Sequence, residues 1–219
     1  MELSYHGHSC VSLTTINDTR ILIDPFITDN PLTDLDANTV ECDYILLTHA
    51  HNDHFGDTLA IAHRCNATVI AVVELADYVA HFGIETHGMN LGGKYQFPFG
   101  SVKCVPALHT SSYNDRYMGE PCGFVINDSS SSVYHAGDTA LFSDMSLVGP
   151  VTCALLPIGD NFTMGIEDAV KASRIITAEI VVPIHYNTFP LIEVNPYQFT
   201  NQVDNATGIV MEVGDSIEL

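Results

Sequence analysis

The run THAHNDHFGD at residues 48–57 follows directly on the apolar YILL and packs three histidines and two aspartates into ten positions. Polar groups this dense cannot be desolvated without partners, so the strand must end here and the side chains must be given something to hold. On an extended or turning backbone His49 and His51, at i and i+2, can point the same way. Asp53 and His54 then open a helix and face a neighbouring position, so the run can serve two metal ions side by side. Imidazole nitrogen with carboxylate oxygen, and no thiolate, suits Zn²⁺ and also Mn²⁺ or Fe. A lone histidine is ordinarily a surface or satisfied core residue; an HxHxDH cluster at a strand end is not so easily absorbed.

Two ions need further ligands, and three candidates stand at the ends of other apolar runs: His109 after VPAL, Asp138 in YHAGDT and His185 in VVPIHYN. Short β-rich runs dominate the chain: LSY, CVSLTT, RILID, YILLT, TVIAVV, VKCVPAL, GFVI, SVYHAGD, CALLPI, IVVPI and GIVMEV. TINDTR reads as a hairpin turn, because Asn and Asp tolerate the positive φ that such turns require, and the first strands should pair antiparallel. Helical spacing is confined to Phe55, Leu59 and Ala62, to Leu75, Val79 and Phe82, and to Ala169, Ala172, Ser173 and Ile176. DSSSSV at 128–133 is a polar turn between strands. With 219 residues, 46% of them hydrophobic, and no composition break, residues 1–219 are expected to form one α/β domain of sheets covered by helices.

In order along the chain, THAHNDH, ALHT, AGDT and PIHYN match the HxHxDH signature and the separate His, Asp and His of the metallo-β-lactamase superfamily, which the sequence resembles. The likeness extends from GHSC and LIDPF to LLPIGDNFTMGIEDA and PIHYNTFP, and these segments look like the metal-dependent hydrolase branch related to L-ascorbate-6-phosphate lactonase. The resemblance implies a four-layer αββα sandwich with the metal site at the sheet edges. Carried over residue by residue, it implies that His49, His51 and His109 hold one ion, that Asp53, His54 and His185 hold the second, and that Asp138 bridges them. It also implies a dimer or larger homo-oligomer.

Other residues take supporting parts. Asp24, ahead of a ladder-stopping Pro25, would orient a metal-bound imidazole through its other nitrogen, and His135 beside the AGDT turn would act similarly. The resemblance places the turn carrying His8 beside the metals, where His8 would donate a proton or contact a substrate oxygen. Asp53 would orient the attacking water. Asn161 in the GDNFTMG loop and Arg116 in a polar loop are candidate substrate contacts.

Two divalent ions, zinc ahead of manganese or iron, would activate water against an ester, lactone or phosphodiester bond of a small substrate, phosphorylated or not. A nucleic-acid partner is unexpected, since 7 Lys+Arg against 27 Asp+Glu give a formal charge of −20. With no export series before MELSYHGHSC and no apolar run near the roughly 20 residues of a membrane helix, no membrane partner and a cytoplasmic location are expected. The six scattered cysteines read as buried free thiols. Two other readings use the same scaffold: an iron-dependent sulfur or oxygen redox enzyme, and a non-catalytic metal-dependent binding protein.

Overall fold

The architecture follows from strands whose alternate residues bury on opposite faces. A computed structural model describes residues 1–219. The first half supplies β1 (Glu2–Tyr5), β2 (Val11–Thr14), β3 (Arg20–Ile23), β4 (Tyr44–Leu46), β5 (Thr68–Val72) and β6 (Thr86–Met89). The remainder supplies β7 (Lys94–Phe97), β8 (Gly100–Pro106), β9 (Ser112–Tyr113), β10 (Arg116–Tyr117), β11 (Cys122–Asn127), β12 (Ser132–His135), β13 (Val151–Pro157), β14 (Ala178–Ile184), β15 (Thr207–Gly208) and β16 (Ser216–Glu218). Two seven-stranded sheets result, ordered β16-β1-β2-β3-β4-β5-β6 and β15-β14-β13-β12-β11-β8-β7, with β9 and β10 as a separate ribbon.

Along β13, Cys153 and Leu155 join the large core shared by both sheets, while Ala154 and Leu156 join a second core on the sheet's outer face. That period of two makes a strand buried on both sides, as parallel sheets require. Helices cover the outer faces. Helices α2 (Thr58–Cys65) and α3 (Val73–Ala80) pack on β4 to β6, and α4 (Ile166–Ile175) and α5 (Pro196–Thr200) pack on β13 and β14; the short α1 (Asn52–Phe55) precedes them. The result is the expected αββα sandwich.

The TINDTR hairpin forms as read, with Thr14 opposite Arg20 and Asp18 at φ 59°. Three readings are corrected. The helix expected through Phe55, Leu59 and Ala62 is broken at Gly56 (φ 41°), where a Cβ would lie 2.2 Å from the Pro25 carbonyl oxygen. Phe82 falls beyond α3 and is exposed. Of GIVMEV only Gly208 lies in a strand, as the second residue of β15; Ile209 still donates its amide to Val181, but the chain then turns away to deliver β16 to the other sheet.

Topology sets the site. β3, β4 and β5 are parallel, so residues following β3 and β4 leave their sheet at one edge. β12, β13 and β14 are parallel, and β8 runs with them because both it and β12 are antiparallel to β11. His109, Asp138 and His185 therefore emerge at one edge of the second sheet, as their shared position after apolar runs predicts.

Candidate metal centre

The chain past β4 turns at once from strand to helix. His51 is the extended residue before α1, and Asp53 and His54 lie in its single turn. The second sheet brings its three residues to the same place. Asp138 Oδ2 lies 3.1 Å from His185 Nε2, 3.3 Å from His54 Nε2, 3.5 Å from His109 Nε2 and 3.9 Å from His49 Nε2. One carboxylate oxygen thus faces four imidazole nitrogens from both sheets. The potential donors form three overlapping groups: His49, His51 and His109; His8, Asp53, His54 and His185; and His49, His54 and Asp138 linking the two.

Tautomers are fixed from behind. Asp24 is fully buried, with φ 48°, and its carboxylate accepts the Thr48 amide at 2.9 Å, the Thr48 hydroxyl at 2.6 Å and His54 Nδ1–H at 2.8 Å. Because the Thr48 hydroxyl is given to Asp24, its oxygen accepts from His49 Nδ1, 3.0 Å away. The Nε2 atoms of both histidines are thereby turned to the centre, in the manner of ligating imidazoles. His51 presents Nδ1 instead, 2.9 Å from His49 Nε2, with its own Nε2 3.4 Å from Thr110 Oγ1.

Electrostatics ask for a cation at this point. Burial lowers the pKa of His49, His51 and His109, with further lowering by His54, so these three are neutral donors. Burial alone would lower His54 too, but Asp138 and Asp24 on either side raise it well above the ordinary range. Burial raises the Asp138 carboxyl, and His185 and His54 more than reverse this, holding it well below its usual range. Asp138 Oδ1, His54 Nε2 and His185 Nδ1 are buried without hydrogen-bond partners, an expensive state in a protein interior. Nitrogen and oxygen donors converging on one carboxylate, with orphaned buried atoms among them, fit divalent metal ions.

The other expected residues are placed differently. His8, expected to touch substrate, is fully buried and lines no part of the cavity over the centre. Its Nε2 lies 3.2 Å from Asp53 Oδ2 and its Nδ1 2.9 Å from Thr188 Oγ1, and its ring stands 4.1 Å from that of His185. It braces Asp53 from behind. His135 touches none of the candidate ligands; its Nε2–H donates to the Ser9 carbonyl at 3.0 Å, and its Nδ1 accepts the Gly137 amide at 3.1 Å, fixing the turn that presents Asp138. Asn161 is exposed and its amide donates to its neighbour Asp160; the adjacent Phe162 enters the cavity wall instead. Arg116, on β10, lies in a separate hollow that shares only His109 and Thr110 with the cavity.

Sequence reasoning assigned no part to Thr48, Thr110, Phe162, Thr188, Phe189 or Leu191. Thr48 heads the histidine run, and its position before the first histidine is the only sequence signal among them. The remainder are brought in by loops and, for Leu191, by a single 3-10 turn at Pro190–Ile192.

Fold and centre together define a member of the β-lactamase superfamily, and a family model described as "Beta-lactamase superfamily domain" matches residues 19–186. Among curated relatives, the UPF0173 metal-dependent hydrolases of Bacillus thuringiensis subsp. konkukian and Bacillus mycoides are 52% and 53% identical, each over the whole of both chains. The structure of Igni18, described as a novel metallo hydrolase from the hyperthermophilic archaeon Ignicoccus hospitalis, superposes with a TM-score of 0.91 at 37% identity, covering 99% of this chain and 97% of that one. The chain belongs to this family of metal-dependent hydrolases in the β-lactamase superfamily. None of these relatives is described as a lactonase, and the narrower likeness to L-ascorbate-6-phosphate lactonase finds no support among them. No helix is long and apolar enough to cross a membrane.

Proposed function

We propose that the centre holds two divalent ions and that the protein hydrolyses an ester, lactone or phosphodiester bond of a small substrate. The observation that carries this reading is the single oxygen of Asp138 facing four imidazole nitrogens drawn from both sheets. His49, His51 and His109 would hold one ion and Asp53, His54 and His185 the other, with Asp138 shared. When bound, the ions would supply an activated water and electrostatic stabilisation of the charge that develops during attack.

The chain's own residues do the rest. Burial pushes the Asp53 carboxyl up, but His54 and His8 outweigh it and keep the carboxyl ionised. Asp53 lines the cavity, so this carboxylate can accept a hydrogen bond from the attacking water and orient it. His8 acts through Asp53: with its Nδ1 accepting from the Thr188 hydroxyl, its Nε2–H donates to Asp53 Oδ2. Thr110 is the one neutral hydroxyl in the cavity wall.

The test joins metal content to turnover on a panel of carboxylic esters, lactones and phosphodiesters. Hydrolysis of at least one class, with two ions per chain and loss of turnover in Asp53→Ala, is the expected result. A fully loaded protein inert on the whole panel, or one unaffected by Asp53→Ala, would sink the proposal.

A further inference from the structure

The cavity over the centre encloses ≈ 450 Å³, within the range of small-molecule sites. Apart from the candidate ligands it is walled by Thr110, Phe162, Phe189 and Leu191. Phe162 is 50% and Leu191 67% exposed, so large apolar surface faces solvent directly beside the polar centre. Neither wall is loose. Asp160 donates its amide to Met164 and accepts that of Thr163, while the Met164 amide reaches the carbonyl of Thr139, next to Asp138, at 3.0 Å. On the other side Asn187 donates its amide to the Ile192 carbonyl at 2.9 Å and accepts the Val194 amide on its side chain at 2.8 Å.

No lysine or arginine lines this cavity. Arg20, Arg64, Lys171 and Arg174 are paired with carboxylates of Glu41, Asp43, Asp168 and Asp204. Lys94 and Lys103 face each other across β7 and β8. Arg116 shares its own hollow with Asp115 and Glu120. An anionic substituent lying against the wall, away from the centre, would lose its hydration without gaining a counter-charge there, whereas an apolar one would bury against Phe162, Phe189 and Leu191.

We infer that the cavity takes the neutral, apolar acyl part of a carboxylic ester or lactone, and that Phe162 and Leu191 set the preference for such substrates over phosphorylated ones. The inference rests on the hydrolytic reading above. Water adds to the carbonyl carbon, the bond to the ester oxygen breaks, and that oxygen leaves with a proton as the alcohol.

The test uses metal-loaded protein and two homologous series. Turnover of p-nitrophenyl esters from acetate to hexanoate should rise in kcat/KM by about fourfold per methylene, the factor expected for burying one such group. The calorimetric affinities of the matching alkyl hydroxamic acids should rise in parallel. Phe162→Ala combined with Leu191→Ala should flatten both series to less than about twofold per methylene, scaled from the same burial term. Leu147→Ala should not, since Leu147 is 71% exposed but outside the cavity. Flat series in the unaltered protein, or faster turnover of bis(p-nitrophenyl) phosphate than of the hexanoate ester, overturns the inference. Rising hydroxamate affinities with every carboxylic ester, lactone and phosphodiester inert would instead overturn the hydrolytic reading and leave the apolar wall standing.

Discussion

Asp24 is the residue on which the geometry of the centre turns. Three hydrogen bonds from Thr48 and His54 end on its carboxylate, and through them the ring nitrogens of two candidate ligands are aimed. Replacing Asp24 by Asn puts a donor where one of these acceptors stands and disrupts the His54 or Thr48 contact. Asp24→Asn should weaken metal binding by roughly 10- to 100-fold, read by competition with a chelator. Unchanged affinity would mean that the imidazoles are aimed by something else. In the sequence Asp24 reads equally as a polar turn residue before Pro25 or as a carboxylate that orients an imidazole, and the family resemblance is what favours the second. For His8 the sequence leaves a substrate role and a structural hydrogen-bond role both open, because its left-handed backbone (φ 57°) and its place behind Asp53 rest on contacts with Thr188 and His185, far along the chain.

At the scale of elements, the strand ends were the legible part. Apolar runs followed by His or Asp give β4, β8, β12 and β14 and the residues after them, because burial on both faces leaves a continuous apolar signature. The walls of the cavity were not legible, since Phe162 and Phe189 sit in loops and Leu191 in a single 3-10 turn (Pro190–Ile192), whose direction is set by backbone bonds to Thr139 and Ile192 rather than by any period. The break between α1 and α2 has the same origin: periodicity continues across Gly56, but the Pro25 backbone occupies the space a side chain would need. Gly56→Ala should therefore destabilise the fold by at least roughly 1–3 kcal/mol, the usual cost of backbone strain alone. A denaturant midpoint equal to that of the unaltered protein would show that the α1–α2 corner can yield. Because α1 carries Asp53 and His54, the same variant should also lose metal affinity.

Over the whole molecule the six cysteines are free, and five of them are buried. Burial pushes the Cys153 thiol up to about 12 and the Cys42 thiol up to about 12, where Cys65 beside it adds to the shift. These thiols stay protonated in the folded chain at a pH where an unfolded chain has ionised them. Their contribution to stability is complete below the ordinary thiol pKa near 9 and is lost as pH rises from there towards 12. The melting temperature should fall between pH 9 and 11, and buried thiols should react with a thiol reagent only on unfolding. Rapid labelling of all six in the folded protein would contradict the packing. The formal charge of −20 is equally a property of the whole surface, and none of the 7 lysines and arginines lines the cavity.

The central claim is that the two sheet edges assemble one site for two ions around Asp138. It is tested most directly by diffraction from metal-loaded crystals collected at the absorption edge of the bound metal. The account predicts two anomalous peaks per chain, one beside His49, His51 and His109 and one beside Asp53, His54 and His185, with both lost in Asp138→Ala. A single peak, or two peaks that persist when Asp138 is removed, would contradict it.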